Sequence, residues 1–407
     1  MIYYISRIYI AAIFIYFANP IEYALPYLLS VQISPVLFLI GLMIINYMTK
    51  FQRSEIKYYY RNPILSPLRS FGIRIIIATG IILLVALIPI YIRQVKNIAL
   101  FHLIAGDSTA AELMVMREEV FKQSNSPITL LFGYARNFIY PFMIILCLFM
   151  AHTTRKFQDK LYFFAYLLTG LFFASLATAK APVARILLLV AFGVYIVKKG
   201  RISLKQGLIM IAIIISFPFA VYLFLNRSAG FSLDRIFSVF FLIGRRLFYV
   251  PSSSVYYYFE LFPKHHDFLY GSSNGKIAWL LGSEYVNVAN LVFNYVTGGS
   301  WITTGYVNAA FIANFYADFG IPGVLFISFY VGILIGFIQI MIIRGEKTVS
   351  NVTIQCMLLA NILYLVSTSF YTSILSGGII SYFFVKWIIK YISNFINEIF
   401  NLKKARL

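Results

Sequence analysis

"GIRIIIATGIILLVALIPIYI", residues 72–92, has a single charged side chain, Arg74, three positions from its start. About 20 predominantly apolar residues wound as a helix cross the ~30 Å hydrocarbon layer of a bilayer. Comparable runs recur at 2–18, 26–49, 128–150, 161–178, 183–197, 207–225, 321–343, 352–375 and 377–394. The 407-residue chain is 61% hydrophobic and 12% charged, with mean hydropathy +0.82. A soluble protein carries about a quarter charged residues. The expectation is an all-α, polytopic membrane protein with about ten transmembrane helices (nine to twelve). The first run has one Arg and no small-residue cleavage site, so it reads as a retained helix and not a signal peptide.

Net charge is +20. In a soluble chain that balance would suggest nucleic acid, but its distribution here argues otherwise. With the N-terminus inside, segments 50–74, 151–160, 198–206, 344–351 and the C-terminal tail carry 20 Lys/Arg against four acids. The opposite side carries 12 Lys/Arg against ten acids, with Arg7 and Arg136 left within spans. That is the positive-inside pattern of a cytoplasmic membrane protein with both termini cytoplasmic. The excess charge is read as setting topology, and no nucleic-acid partner is expected. Two cysteines in apolar runs, Cys147 and Cys356, offer neither a disulfide framework nor a zinc pattern.

The chain reads as one integral membrane domain, 1–407, with two longer external segments. In 93–127, Thr109 and Glu112 have capping-box spacing, followed by helical spacing of Leu113, Met116 and Val120. This suggests a helix lying on the outer interface. Segment 226–305 is too aromatic for a linker or disordered tail and is expected to fold as short helices and ordered loops. Residues 306–319 read as an amphipathic helix, broken by "GIPG" (320–323) before the span from 321. No internal repeat is found, which weighs against transporters built from duplicated halves.

Within "FFLIGRRLFYVPSSSVYYYFELFP" (240–263), Arg245 and Arg246 are adjacent in apolar surroundings. A helix from about 234 to 249, ended by Pro251, leaves them without a local carboxylate partner. Two planar guanidinium forks match a diphosphate; snorkelling to headgroups is the competing reading. Lys180 and Arg185 in "ATAKAPVAR" and Arg227 could join them in an electropositive outer cavity, though each alone also suits an interfacial anchor. Acid or base candidates are Asp318, Glu260 and His266. Asp318 lies one helical turn from Asn314, and a carboxylate at membrane depth is a functional pointer. "KHHD" (264–267) is poorly spaced for one metal, so no metal site is expected. There is no Gly-rich nucleotide loop, DxD motif or Ser-His-Asp order, and cytoplasmic nucleotide-sugar chemistry is unsupported.

"GRRLFYVPSSSVYYYFELFP" (244–263), "FLYG" (268–271) and "NAAFIANFYADFGIPGV" (308–324), following many spans, resemble the bacterial oligosaccharide repeat-unit polymerases of the O-antigen (Wzy) type. The resemblance covers about 170–340, and the rest only by topology. Lys180 stands where several members carry an Arg in a small-residue turn, and their R-x10-G pattern is absent at Arg235, Arg245 and Arg246. The resemblance implies transfer of a growing glycan from undecaprenyl diphosphate to a hydroxyl of a new lipid-linked repeat unit, without cofactor, at the outer face of the inner membrane. It implies lipid-linked oligosaccharide, membrane lipid and a chain-length regulator as partners. It further implies diphosphate binding by the arginines and sugar binding by Tyr257, Asn314 and Tyr316. An O-antigen ligase, another polyprenyl-phosphate-dependent glycosyltransferase, and a flippase or transporter are the alternatives.

Overall fold

The computed structural model describes residues 4–65, 70–95, 97–109, 127–225, 232–299 and 305–376, with isolated positions in 112–116 and 384–399. In chain order the helices are α1 (Ile5–Ala18), α2 (Ile21–Met48), α3 (Arg53–Arg61), α4 (Ser70–Gln94) and α5 (Ala99–Ala105). Then come α6 (Leu130–Thr154), α7 (Phe157–Ser175), α8 (Lys180–Val197), α9 (Leu204–Leu225) and α10 (Leu233–Gly244). The last are α11 (Val250–Leu261), α12 (Gly275–Leu281), α13 (Val288–Thr297), α14 (Phe311–Arg344) and α15 (Val349–Tyr364).

Six of these, α2, α4, α6, α8, α9 and α14, are long and apolar enough to cross a membrane; α1, α13 and α15 are shorter apolar helices. The expected span 377–394 lies almost wholly outside the described residues, as does Arg227. The expected interfacial helix after Thr109 is described only in its capping box and at Leu113, Val115 and Met116, which are helical. There Thr109 N–H donates to Glu112 Oε2 at 2.6 Å and Glu112 N–H to Thr109 Oγ1 at 3.3 Å.

The chain divides into two compact units. The first comprises Met1–Glu55, Phe241–Arg344 and Asn361–Ile379. Its spine is α2 against α14. In α14, Ser328, Gly332 and Gly336 recur every fourth residue and so share one face. A Cβ on Gly332 would lie 2.1 Å from Phe38 O, and one on Gly41 of α2 would lie 2.3 Å from Phe329 O. The two backbones therefore touch, and Ser328 Oγ donates to Ser34 Oγ at 3.0 Å across the seam. Lipid tails are as apolar as leucine, so such helices associate through close packing and hydrogen bonds. Against this spine α11 buries Val255, Tyr258 and Phe259, together with Ile8, Ile15 and Tyr27.

Prolines recur in this unit, and each lacks the N–H that would bond the carbonyl four residues back. A freed carbonyl away from water must find another donor. The carbonyl of Val31, four before Pro35, accepts the Tyr4 hydroxyl at 3.3 Å. That of Asp318, left without a helical donor by the break at Gly320, accepts Tyr270 N–H at 3.0 Å. That of Leu247, four before Pro251, accepts Arg7 Nε at 2.7 Å. Pro35 and Pro251 thus create two docking points and the break at Gly320 a third, each taken by a segment distant in sequence.

The second unit comprises Ile56–Phe240, Gly345–Ala360 and Ile380–Leu407. α6 and α7 are its closest pair, with α4 and α8 alongside. Asp159 at the start of α7 is 1% exposed and takes a bidentate pair from Arg74, at 2.9 and 2.8 Å. Lys347 Nζ is enclosed by the carbonyls of Tyr59, Tyr60 and Asn62 at 2.9, 3.3 and 2.8 Å. It closes the C-terminal end of α3, where backbone acceptors have no helical partner.

Candidate functional site

The arginine pair lies on a π-helical turn, Arg245–Tyr249, where Val250 N–H reaches back five residues to Arg245 O. The helix does not end at Pro251, as the sequence suggests. The wider turn absorbs the proline at the second position of α11, and the helix runs on to Leu261. A second π turn, Ile5–Tyr9, opens α1 and carries Arg7. The two turns clasp each other. Arg7 donates to Leu247 O, and Ser252 Oγ donates to Ile8 O at 2.7 Å. Tyr27 seals the clasp, its hydroxyl 3.0 Å from Ser252 O and 2.5 Å from Ser252 Oγ. A third π turn, Ala135–Ile139 in the other unit, carries Arg136. π turns are uncommon and concentrate at functional sites.

Arg245 and Arg246 are exposed, among exposed Leu247, Phe248 and Tyr249. This surface combines guanidinium forks with apolar side chains, and it suits an anion that carries a hydrocarbon tail. Sequence reading missed Arg7 as a member of the cluster. The signal was present, since an arginine within an apolar span points to function by default.

On α11, Glu260 is half-buried, and burial pushes its carboxyl above the usual range; the charge of His265 and the Tyr295 hydroxyl pull it partly back. The rings of His265 and Tyr295 lie 5.4 Å apart. Burial, with help from the Glu260 charge, raises the buried Tyr256 phenol to about 12. Tyr257, one turn before Glu260, is raised by burial, by Tyr249 and by Glu260, and is pulled down by Arg245. Its phenol therefore lies within electrostatic reach of both the carboxylate and the arginine. At the same end, Lys264 pairs with Glu22 at 3.1 Å. No local signal marked Tyr295, which arrives on a separate helix.

The remaining expected residues take other positions. Asp318 is 0% exposed, and both its carboxylate oxygens are occupied. Oδ1 accepts Gly271 N–H and Ser273 N–H, each at 3.2 Å, and Oδ2 accepts Ser273 Oγ at 2.5 Å. That geometry is an anchor for loop 269–273, one residue pair before the break in α14 at Gly320 (φ 63°, ψ −150°). His266 Nδ1 donates to Asp267 O at 2.8 Å, and its ring packs against Phe262. Tyr316 is buried, stacked on Phe259 at 3.6 Å, with its hydroxyl donating to Phe262 O at 3.3 Å. It is a core residue with no face for a sugar. Asn314 and Tyr257 are half-buried. Lys180 and Arg185 belong to the other unit, where Lys180 Nζ sits 3.6 Å over the Tyr222 ring and Arg185 is half-buried on α8.

Among the described residues no three His, Cys, Asp or Glu side chains converge to hold a metal ion. No protein family, curated protein or solved structure matches this chain. The site is therefore read from its own chemistry. It offers exposed cationic forks and, about 20 Å further along the same helix, a half-buried carboxylate with a raised proton affinity.

Proposed function

We propose that the chain polymerises lipid-linked oligosaccharide repeat units, as O-antigen polymerases do. The observation that carries the reading is the exposed π turn with Arg245 and Arg246, braced by Arg7, in one unit with Glu260. The proposal includes about ten spans, both termini cytoplasmic, segment 226–305 at the outer face of the inner membrane, and undecaprenyl-diphosphate-linked glycan as substrate.

In this reading the arginines hold the diphosphate of the donor through bidentate, charge-assisted hydrogen bonds. The acceptor hydroxyl oxygen forms the new bond to the anomeric carbon. The bond from that carbon to the diphosphate oxygen breaks, and undecaprenyl diphosphate leaves with the electron pair. The hydroxyl proton passes to water at the exposed turn, since Glu260 lies about 20 Å further along the helix than the pair that holds the diphosphate. Charge on the leaving group is balanced by the guanidiniums, so no nucleotide or metal enters the scheme. Tyr257, whose half-buried phenol lies on the helix between the arginine turn and Glu260, is the residue proposed to contact a sugar.

The test is glycan length in a deletion strain complemented with variants. Wild type restores polymer, and Arg245→Ala and Arg246→Ala leave a single displayed repeat unit at normal protein level. Full-length polymer from the double variant overturns the reading. Loss of every displayed unit in the deletion strain assigns the protein to ligation or flipping instead.

A further inference from the structure

We infer that α12 is a membrane-interface anchor, lying flat in the headgroup layer with Trp279, Leu280 and Leu281 in lipid. This helix of seven residues, about 10 Å long, exposes Trp279 to 82%, Leu280 to 76% and Leu281 to 59%. Three large apolar side chains in a row, held in a well-defined helix, are unlike a soluble surface. Asn274 fixes the start, accepting Lys276 N–H at 3.0 Å and Ile277 N–H at 3.2 Å, and Gly282 ends it in the left-handed conformation.

Lipid is the occupant because the patch continues a lipid-facing surface. On α14 beyond the break at Gly320, Phe326, Tyr330 and Phe337 are exposed at spacings that keep them on one side of the helix, and Phe319 is exposed just before the break. Leu281 and Phe319 converge there: a Cβ on Gly271 would lie 3.4 Å from Leu281 Cδ1 and 3.8 Å from Phe319 Cζ. The depth also fits. Arg344, paired with Glu55 at 2.8 Å, marks the water boundary at one end of α14. From Arg344 to Ile321 the helix runs about 36 Å, against ~30 Å of hydrocarbon. Phe319 and its neighbour α12 therefore sit at the opposite boundary, where tryptophan and tyrosine are favoured. Exposed Tyr270 and Tyr285 flank the patch, and the exposed charges Lys276 and Glu284 bound it. The Lys276 stem can lie along the apolar face with its ammonium at the phosphates.

The Asp318 contacts give this anchor a fixed mount. Gly271 and Ser273, just before α12, are tied to α14 by three hydrogen bonds to one carboxylate. Membrane depth at Trp279 is thus transmitted directly to the broken turn of α14.

Fluorescence quenching tests the assignment without reference to activity. The chain has three tryptophans, so Trp301→Phe with Trp387→Phe leaves Trp279 as sole reporter in vesicles. A spin label shallow on the acyl chain is expected to quench Trp279 about twofold more than one near the bilayer centre. Equal or stronger quenching by the deep label overturns the interface placement. Quenching by aqueous iodide with none from either lipid label overturns lipid contact, and concentration-dependent shielding in that case assigns the patch to a second copy of the chain. Because Cys147 and Cys356 are buried, a nitroxide at Trp279→Cys gives an independent reading. Greater access to oxygen than to a water-soluble nickel complex is expected; the reverse overturns the proposal.

Discussion

Arg7 Nε donates to the Leu247 carbonyl at 2.7 Å, joining positions 240 residues apart. The acceptor is the one that Pro251 leaves without its helical donor. Arg7→Met keeps the apolar stem and removes the donor, leaving that carbonyl without its charged partner. A hydrogen bond to a charged group contributes about 1.5–3 kcal/mol, and a loss of that order is expected in thermal unfolding of the purified protein. Pro251→Ala restores the N–H, so Arg7→Met should be milder on that background. Additive effects in the double variant would show that proline and arginine are not linked in this way.

On the proposed function, Arg245→Lys and Arg246→Lys return charge without the fork. Each is expected to restore only part of the polymer lost in the alanine variants. Loss of one charge-assisted contact of about 1.5–3 kcal/mol corresponds to roughly 10- to 100-fold in donor affinity. Full recovery by lysine would mean that net charge alone matters at the π turn.

Glu260 has its proton affinity raised by burial, and the sign follows from linkage. As pH rises, the unfolded chain loses this proton before the folded one does, so stability is lost between the ordinary glutamate range and the raised folded value. Glu260→Gln does not ionise. It should melt higher than wild type at neutral pH, with the difference shrinking on acidification. A melting difference independent of pH would remove Glu260 from the account.

Gly320 has φ +63° and ψ −150°, a region open almost only to glycine, and a Cβ there would lie 3.0 Å from Phe268. Gly320→Ala is expected to destabilise by about 1–3 kcal/mol and to loosen the loop that Asp318 fastens. Asp318→Asn keeps one acceptor for that loop, whereas Asp318→Ala leaves Gly271 and Ser273 to find others. The alanine variant should show faster hydrogen exchange at 269–273 than the asparagine variant. Equal exchange in the two would argue against an anchoring carboxylate.

Much of the fold was legible because its code is local. Twenty-residue apolar runs, the capping box at Thr109 and the break in "GIPG" each declare themselves within a few positions. The proline ports were half legible, since a proline in an apolar helix names the carbonyl it frees but not the donor that arrives. Tyr4, Arg7 and Tyr270 come from elsewhere, and nothing near Pro35, Pro251 or the break at Gly320 specifies them. Asp318 looked exposed to chemistry because its partners, two backbone amides and the Ser273 hydroxyl, lie some 45 residues away and are invisible to local reasoning. Tyr316 was misplaced for a related reason: aromatic residues serve a sugar or a core equally well, and only the Phe259 ring stacked on it decides. Helix continuation through Pro251 was hidden because a π turn has no established sequence mark.

The close seam between α2 and α14 has a consequence for biosynthesis. Gly41 and Ser34 leave the ribosome about 300 residues before Gly332 and Ser328. At roughly 5–20 residues per second, α2 waits in the bilayer for tens of seconds with its small-residue face against lipid. Over that interval the intervening unit has been synthesised in full as far as Phe240. The first helices to enter the membrane are therefore among the last to reach their final neighbours, and a chain arrested before Gly332 should expose the α2 seam to cross-linking.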